Sequence, residues 1–257
     1  MSIARLSDRD LWYEDSGGSG VPIVLLHAGV GSAVMWERQR QPVVDAGYRF
    51  IAYDRVGAGK STLHANAEAG VASDDLDALR QHLGFDRFHL VGTAAGGIVA
   101  FDYVLAFREH LRSLVIANSV GGVQDESYLE LGRRLRPPEF ERLPVELREL
   151  GPSYRAANAE GTARWLELER QSQPARPLPS PQRYHQRLTF ALLDTISVPT
   201  LLLTGDADLY CPPSVLRMFA AHMPGAETLI VPETGHSAYW EQTELFNRAV
   251  LAFIAKH

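Results

Sequence analysis

Six short, almost unbroken apolar runs recur along the chain with helix-patterned segments between them. This alternation constrains the fold more than any other feature. The runs are IVLLH (residues 23–27), RFIAYD (49–54), RFHLVG (87–92), LRSLVIANS (111–119), VPTLLLTG (198–205) and AETLIVPE (226–233). A strand that is apolar on both faces must be covered on both faces, as in a parallel sheet sandwiched between helices. Helical patterns occupy AVMWERQRQPVVDAG (33–47, interrupted by Pro42), SDDLDALRQHLG (73–84), the apolar run from Ala95, the stretch from about Pro213 to His222, and TELFNRAVLAFIAK (243–256). Ser73 is the expected N-cap of the second of these and Gly84 its stop. SIARL and LWYED around a polar SDRD turn predict a hairpin ahead of the sheet. The expected fold is α/β, a mostly parallel central sheet with helices on both faces.

One segment breaks the rhythm. Residues 121–195 are rich in Arg, Glu, Leu and Pro, with LRPPEF, ELGPSY and QPARPLPSPQ separating helical patterns such as SYLELGRRL and GTARWLELERQ. A connection of this length with its own helices reads as an inserted helical cap on a core formed by residues 1–120 and 196–257. The plainer alternative is a helical layer that only extends the core.

Composition narrows the partners. The chain has 257 residues, 46% of them apolar and 22% charged, so a sizeable core is available. Its net charge of −6, with no basic tract, argues against a nucleic-acid surface. Cys211 is the only cysteine, which removes intrachain disulfides and CxxC metal pairs. MSIARLSDRD has no apolar leader-like core, and no run is long enough to cross a bilayer. The expectation is a cytoplasmic protein acting on a small molecule, with no membrane, metal or cofactor.

The chemistry centres on HLVGTAAGGIVAF (89–101). A strand-like lead, a cluster of tiny residues and an apolar helical run describe a sharp turn built to display one side chain. Gly92-x-x-x-Gly96 is the frame of the G-x-S-x-G nucleophile elbow, yet Ala94 stands at its apex. The other strand ends carry LLHAGVGS, YDRVGAGKS, TGDADLYCPP and PETGHSAYW.

Together these motifs resemble the α/β-hydrolase fold family across nearly the whole chain, above all its cap-bearing esterases, lactonases and carbon–carbon bond hydrolases. The resemblance implies a triad in the order nucleophile, acid, histidine. His236 takes the histidine position. The G-x-x-D turn selects Asp208 as the acid, with Asp206 as runner-up and otherwise a turn-capping residue. A serine hydroxyl needs such a histidine to take its proton and a carboxylate to orient that histidine. Oxyanion donors are expected from the backbone of Ala95 and of Gly29. The family usually has glycine where this chain has Ala28, and His27 reads as a loop-fixing residue.

Alanine at the apex keeps the Cβ and deletes only the reactive oxygen, whereas glycine would relieve backbone strain better. The minimal reading is a Ser→Ala form of a hydrolase whose elbow reads GTSAGG. The rival is a natural non-catalytic member. Thr93, one residue before the apex, reads as packing. DRVGAGKST imitates a phosphate-binding loop, but Asp54 stands where that motif needs glycine, so the turn reads as structural.

Substrate expectations rest on aromatics near these motifs. Trp36, Tyr128, Tyr154, Trp165 and Tyr239 are candidates for an apolar acyl or aryl pocket, most such residues otherwise being core. The carbon–carbon hydrolases usually place tryptophan directly after the histidine, where this chain has Ser237. That departure favours an ester or lactone. The alternatives are carbon–carbon hydrolysis, a cofactor-free oxygenase working through a histidine–aspartate pair, and a ligand receptor.

Overall fold

In the computed structural model, which describes residues 2–174 and 178–257, all six apolar runs are strands of one sheet. The first half of the chain gives β1 (Ser2–Arg5), β2 (Arg9–Asp15), β3 (Pro22–Leu26), α1 (Glu37–Asp45), β4 (Arg49–Tyr53), β5 (Thr62–Leu63), α2 (Ala72–Leu83), β6 (Phe88–Thr93), α3 (Ala95–Ala106) and β7 (Leu111–Ala117). Five helices follow: α4 (Glu126–Leu135), α5 (Val145–Glu149), α6 (Pro152–Ala157), α7 (Ala159–Ser172) and α8 (Phe190–Leu193). The chain then re-enters the sheet through β8 (Thr200–Gly205), α9 (Pro213–Ala221), β9 (Glu227–Val231), α10 (Ala238–Glu241) and α11 (Thr243–Ile254).

The sheet order is β1-β2-β4-β3-β6-β7-β8-β9. The β1–β2 hairpin joins β4 antiparallel, and every pair from β4 to β9 is parallel. Successive strand residues point to opposite sides. Val24, Leu26, Leu90, Leu114 and Ile116 join one buried cluster with Leu76 of α2 and Val99 of α3. Ile23, Leu25, Val91, Val115 and Ala117 join the other with Val43 of α1 and Phe246 of α11. In β3, β6, β7 and β8 the continuous apolar runs thus reflect burial on both faces; β9, at the edge of the sheet, does not meet that expectation, and Ile230 is exposed.

One local expectation needs correction. Ser73 does not cap α2: the helix begins at Ala72 with Val71 in the cap position, and the Ser73 hydroxyl is taken by the Asp102 carboxylate of α3. Gly84 does end α2, in the left-handed region at φ 69°. The two-residue strand β5 beside β2 was not foreseen.

Helices α4–α8 all fall between β7 and β8. Tyr128 of α4 and Phe190 of α8 enter the first buried cluster, and Trp165 and Leu168 of α7 enter the second. Residues 175–177 of the expected proline-rich break lie outside the described residues. No helix among the described residues is long and apolar enough to cross a membrane.

Candidate active site

The sharp turn after β6 forms as the glycines demand. A Cβ on Gly92 would lie 2.6 Å from the Gly96 carbonyl oxygen, and one on Gly96 would strike the Leu26 carbonyl. Ala94 therefore sits at φ 49°, ψ −116°, outside the regions L-residues prefer. Three hydrogen bonds hold it there. Its N–H donates to the Ala117 carbonyl (2.9 Å), and its own carbonyl accepts from Gly97 N–H (3.0 Å) and the Ser119 hydroxyl (2.6 Å).

Around this turn lies a cavity of about 230 Å³, lined by residues that include Gly29, Ala94, Ala95, Glu149, Tyr210 and His236. Ala95 is the first residue of α3, so its N–H is one of those a helix leaves without an internal partner. A Cβ placed on Gly29 would lie 3.6 Å from the Ala95 Cβ, so the two expected oxyanion donors are neighbours. His27 anchors the Gly29 loop: Nδ1 donates to the Ala28 carbonyl (2.7 Å) and Nε2 accepts from Arg55 N–H (3.0 Å). Burial, with Arg55 nearby, holds the His27 imidazole well below its ordinary value, which suits this neutral bridging form.

His236 follows β9 and Asp208 follows β8, and the fold brings them together. Nδ1 of His236 lies 2.9 Å from both carboxylate oxygens of the fully buried Asp208. Four further donors fix that carboxylate. Tyr210 N–H (2.8 Å) and Cys211 N–H (2.9 Å) reach Oδ1, while Asn118 Nδ2 (3.0 Å) and the Thr204 hydroxyl (3.1 Å) reach Oδ2. Burial alone would raise the Asp208 carboxyl, but His236 and these donors outweigh it, and the net displacement is downward. Burial likewise opposes the imidazolium of His236, yet the Asp208 charge and hydrogen bond prevail and raise it. The outcome is a charged acceptor at Nδ1, which leaves Nε2 free to accept a proton. Asp206, the runner-up, instead accepts Thr234 N–H (3.3 Å) in the turn.

A buried clamp sets the height of His236. The Glu241 carboxylate accepts N–H groups from Gly151 (2.7 Å), Gly235 (3.0 Å) and Ser237 (3.2 Å), tying the α5–α6 junction to the His236 loop. Glu241→Gln forces an amide NH₂ against one of these donors. The expected loss is about 2 kcal/mol of folding stability, read by urea unfolding; an unchanged midpoint would contradict the clamp.

The five aromatics expected to form the pocket do not line this cavity. Trp36 packs on Tyr239 with ring centroids 4.8 Å apart, and both are buried with Trp165 in the second core cluster. Tyr154 packs against that same cluster. Tyr128 is buried edge-on to Phe190 and Phe219. Large rings are drawn into the cores because that is where they remove most area from water. Small side chains line the elbow region instead, with Val30, Ile98 and Val120.

Four residues of the site escaped the sequence reading. Tyr210 covers His236, ring centroids 4.3 Å apart, and its place two residues after Asp208 was the available signal. Asn118 and Ser119, in the ANS stretch after β7, hold the acid and the elbow as described. Glu149 carries no local signal. It lines the cavity, and its carbonyl accepts His236 N–H at 2.9 Å. Burial raises its carboxyl above the ordinary value, against the pull of His236.

The phosphate-loop resemblance resolves as a turn filled from within. Asp54 accepts N–H groups from Ala33 (2.8 Å) and Lys60 (2.7 Å), so its carboxylate occupies amides that a bound phosphate would need.

Comparison with known proteins agrees with this architecture. The family model described as alpha/beta hydrolase fold matches residues 21–243. Among curated proteins, a 2-hydroxy-6-oxononadienedioate/2-hydroxy-6-oxononatrienedioate hydrolase of Burkholderia vietnamiensis is 29% identical over 95% of this chain and 90% of its own length. The Escherichia coli protein of the same name is 27% identical over the same shares. Among solved structures, a malate-bound thermophilic esterase from Thermogutta terrifontis superposes with TM-score 0.82 at 26% identity, covering 100% of this chain and 99% of that one. The enol-lactonase from Burkholderia xenovorans, at 19% identity, TM-score 0.77 and coverage of 99% and 100%, shares the fold. The chain belongs to the α/β-hydrolase family.

Proposed function

We propose that the chain is a hydrolase-type site for a small, uncharged ester or lactone, with His236 backed by Asp208 as general base and with the nucleophilic oxygen absent at position 94. The observation that carries this reading is the His236–Asp208 pair opening onto the same cavity as Ala94 and Ala95. With serine at the elbow, Nε2 would take the hydroxyl proton as Oγ bonds to the carbonyl carbon. Ala95 and Gly29 N–H groups would hold the oxyanion, and the imidazolium would protonate the leaving oxygen. Ala94 closes this covalent route. What remains is attack by water with His236 as base, so the chain binds substrate and turns it over slowly. Residues 121–195 serve as the cap, latched to the His236 loop through Glu241.

The cavity walls favour a neutral substrate. Among the described residues, no arginine or lysine lines the cavity, and Glu149 adds a carboxyl. A dicarboxylate such as those in the relatives' names would be desolvated there without a counter-charge. Carbon–carbon bond hydrolysis is the second reading, favoured by the 27–29% identity to those relatives over 95% of the chain. Calorimetric titration with short esters, lactones and a dienedioate separates the two. Neutral carbonyl compounds are expected to bind and to be recovered largely intact. Preferential binding of the dicarboxylate would support the second reading, and oxygen uptake with any ligand would support an oxygenase instead.

A further inference from the structure

One carboxyl group lines the cavity outside the Ala94–His236–Asp208 arrangement. Glu149 is 4% exposed, yet it lines the cavity beside Ala94 and His236. Its Oε2 is buried with no hydrogen-bond partner. Buried polar atoms are nearly always satisfied, and those that lack a protein partner commonly hold ordered water. The placement is also rigid. The Glu149 carbonyl receives His236 N–H at 2.9 Å, and the Glu241 carboxylate holds Gly151 and Gly235 together. Glycine at both positions lets the two backbones touch: a Cβ on Gly151 would lie 2.8 Å from Gly235 N. Glu149 and His236 are thus presented to the cavity from one interlocked pair of loops.

We infer that Glu149 holds the hydrolytic water for His236, an assignment that rests on the reading of His236 as general base. One water hydrogen is donated to the Glu149 carboxylate and the other to Nε2 of His236, which turns an oxygen lone pair toward the carbonyl carbon. As the new C–O bond forms, the O–H bond facing His236 breaks and that proton passes to Nε2. The carbonyl π pair moves onto the oxyanion. Its return expels the leaving oxygen, which takes the proton from Nε2. Glu149 accepts a hydrogen bond throughout and takes no proton from the water. The products are an acid and an alcohol, or a hydroxy acid from a lactone.

Serine attack needs no water, whereas release of the acyl group does, so the Ala94→Ser protein separates the two steps. Stopped-flow hydrolysis of p-nitrophenyl acetate by Ala94→Ser is compared with and without Glu149→Gln. The burst rate constant is expected to change by less than about 3-fold while the steady-state rate falls about 10-fold, the range for one hydrogen bond to the water weakened. Glu149→Asp, which keeps the carboxyl with a shorter reach, should recover part of that loss. A full burst amplitude in Glu149→Gln reports an intact site. Equal loss in both phases, or no loss in either, overturns the role of Glu149 and leaves the hydrolase reading standing. Absence of any burst in Ala94→Ser itself overturns the hydrolase reading, and the assignment of Glu149 falls with it.

Discussion

Ala94→Ser is expected to raise turnover of small activated esters by about 10⁴-fold or more, since deletion of the serine nucleophile in a complete triad costs on the order of 10⁶. The gain needs no rearrangement. The strained φ of 49° is already held by hydrogen bonds to Ala117, Gly97 and Ser119, and serine adds one oxygen to a Cβ already in place. The cavity beside that Cβ has room for the oxygen. Folding stability should therefore stay within about 1 kcal/mol of the parent, as for substitutions without cavity or strain changes. Initial-rate assays of both proteins give the ratio. A ratio near one would mean that the elbow does not present position 94 to His236.

The second large effect concerns the acid. In the Ala94→Ser protein, Asp208→Asn is expected to lower kcat about 10⁴-fold, as when a triad aspartate becomes amide. The surroundings of Asp208 dictate why. Tyr210 and Cys211 N–H groups are fixed backbone donors to Oδ1, whereas the Asn118 amide on the Oδ2 side can flip and the Thr204 hydroxyl can turn wholly to the Cys211 carbonyl, so the amide NH₂ of asparagine falls on the side of Oδ2, beside His236. An Nδ1–H of His236 would then face amide hydrogens as well as Oδ1, which favours the tautomer protonated at Nε2, and the atom that should take the nucleophile's proton already bears one. Steady-state kinetics check the loss. A loss below about 10-fold would contradict the assignment of Asp208 as the orienting acid.

The same pair fixes the sign of the pH dependence. The base form of His236 is the neutral imidazole, and Asp208 raises the pH at which that form appears, against the effect of burial. The Ala94→Ser rate should climb with pH through an inflection raised from the ordinary histidine value. Asp208→Asn should move that inflection downward along with the rate, because the charge that raised it is gone.

The parts of this molecule legible in its sequence are those fixed by short-range pattern. Strands β3, β6, β7 and β8 show as unbroken apolar runs because both of their sides are buried in separate clusters. The elbow shows because Gly92 and Gly96 leave no room for a Cβ. His236 and Asp208 were picked out by the resemblance to the family's motif order, which puts acid and histidine after successive strands. What depends on distant partners was hidden. Glu149 resembles Glu146 or Glu141 in sequence, and only its contact with the His236 loop, 87 positions on, sets it apart. Trp36, Trp165 and Tyr239 have the character of pocket residues, but the second core cluster claims all three. Ser73 has the chemistry of a cap, and the Asp102 carboxylate from α3 takes its hydroxyl instead.

The most direct test is to quench Ala94→Ser within the first turnover of an activated acetate ester and locate any acyl group by peptide mass spectrometry. One acetyl group on the peptide bearing position 94, absent from the parent chain and lost on standing, is the predicted result. An unmodified position 94, or acetyl carried equally by the parent chain, would contradict a site in which His236 and Asp208 serve the elbow.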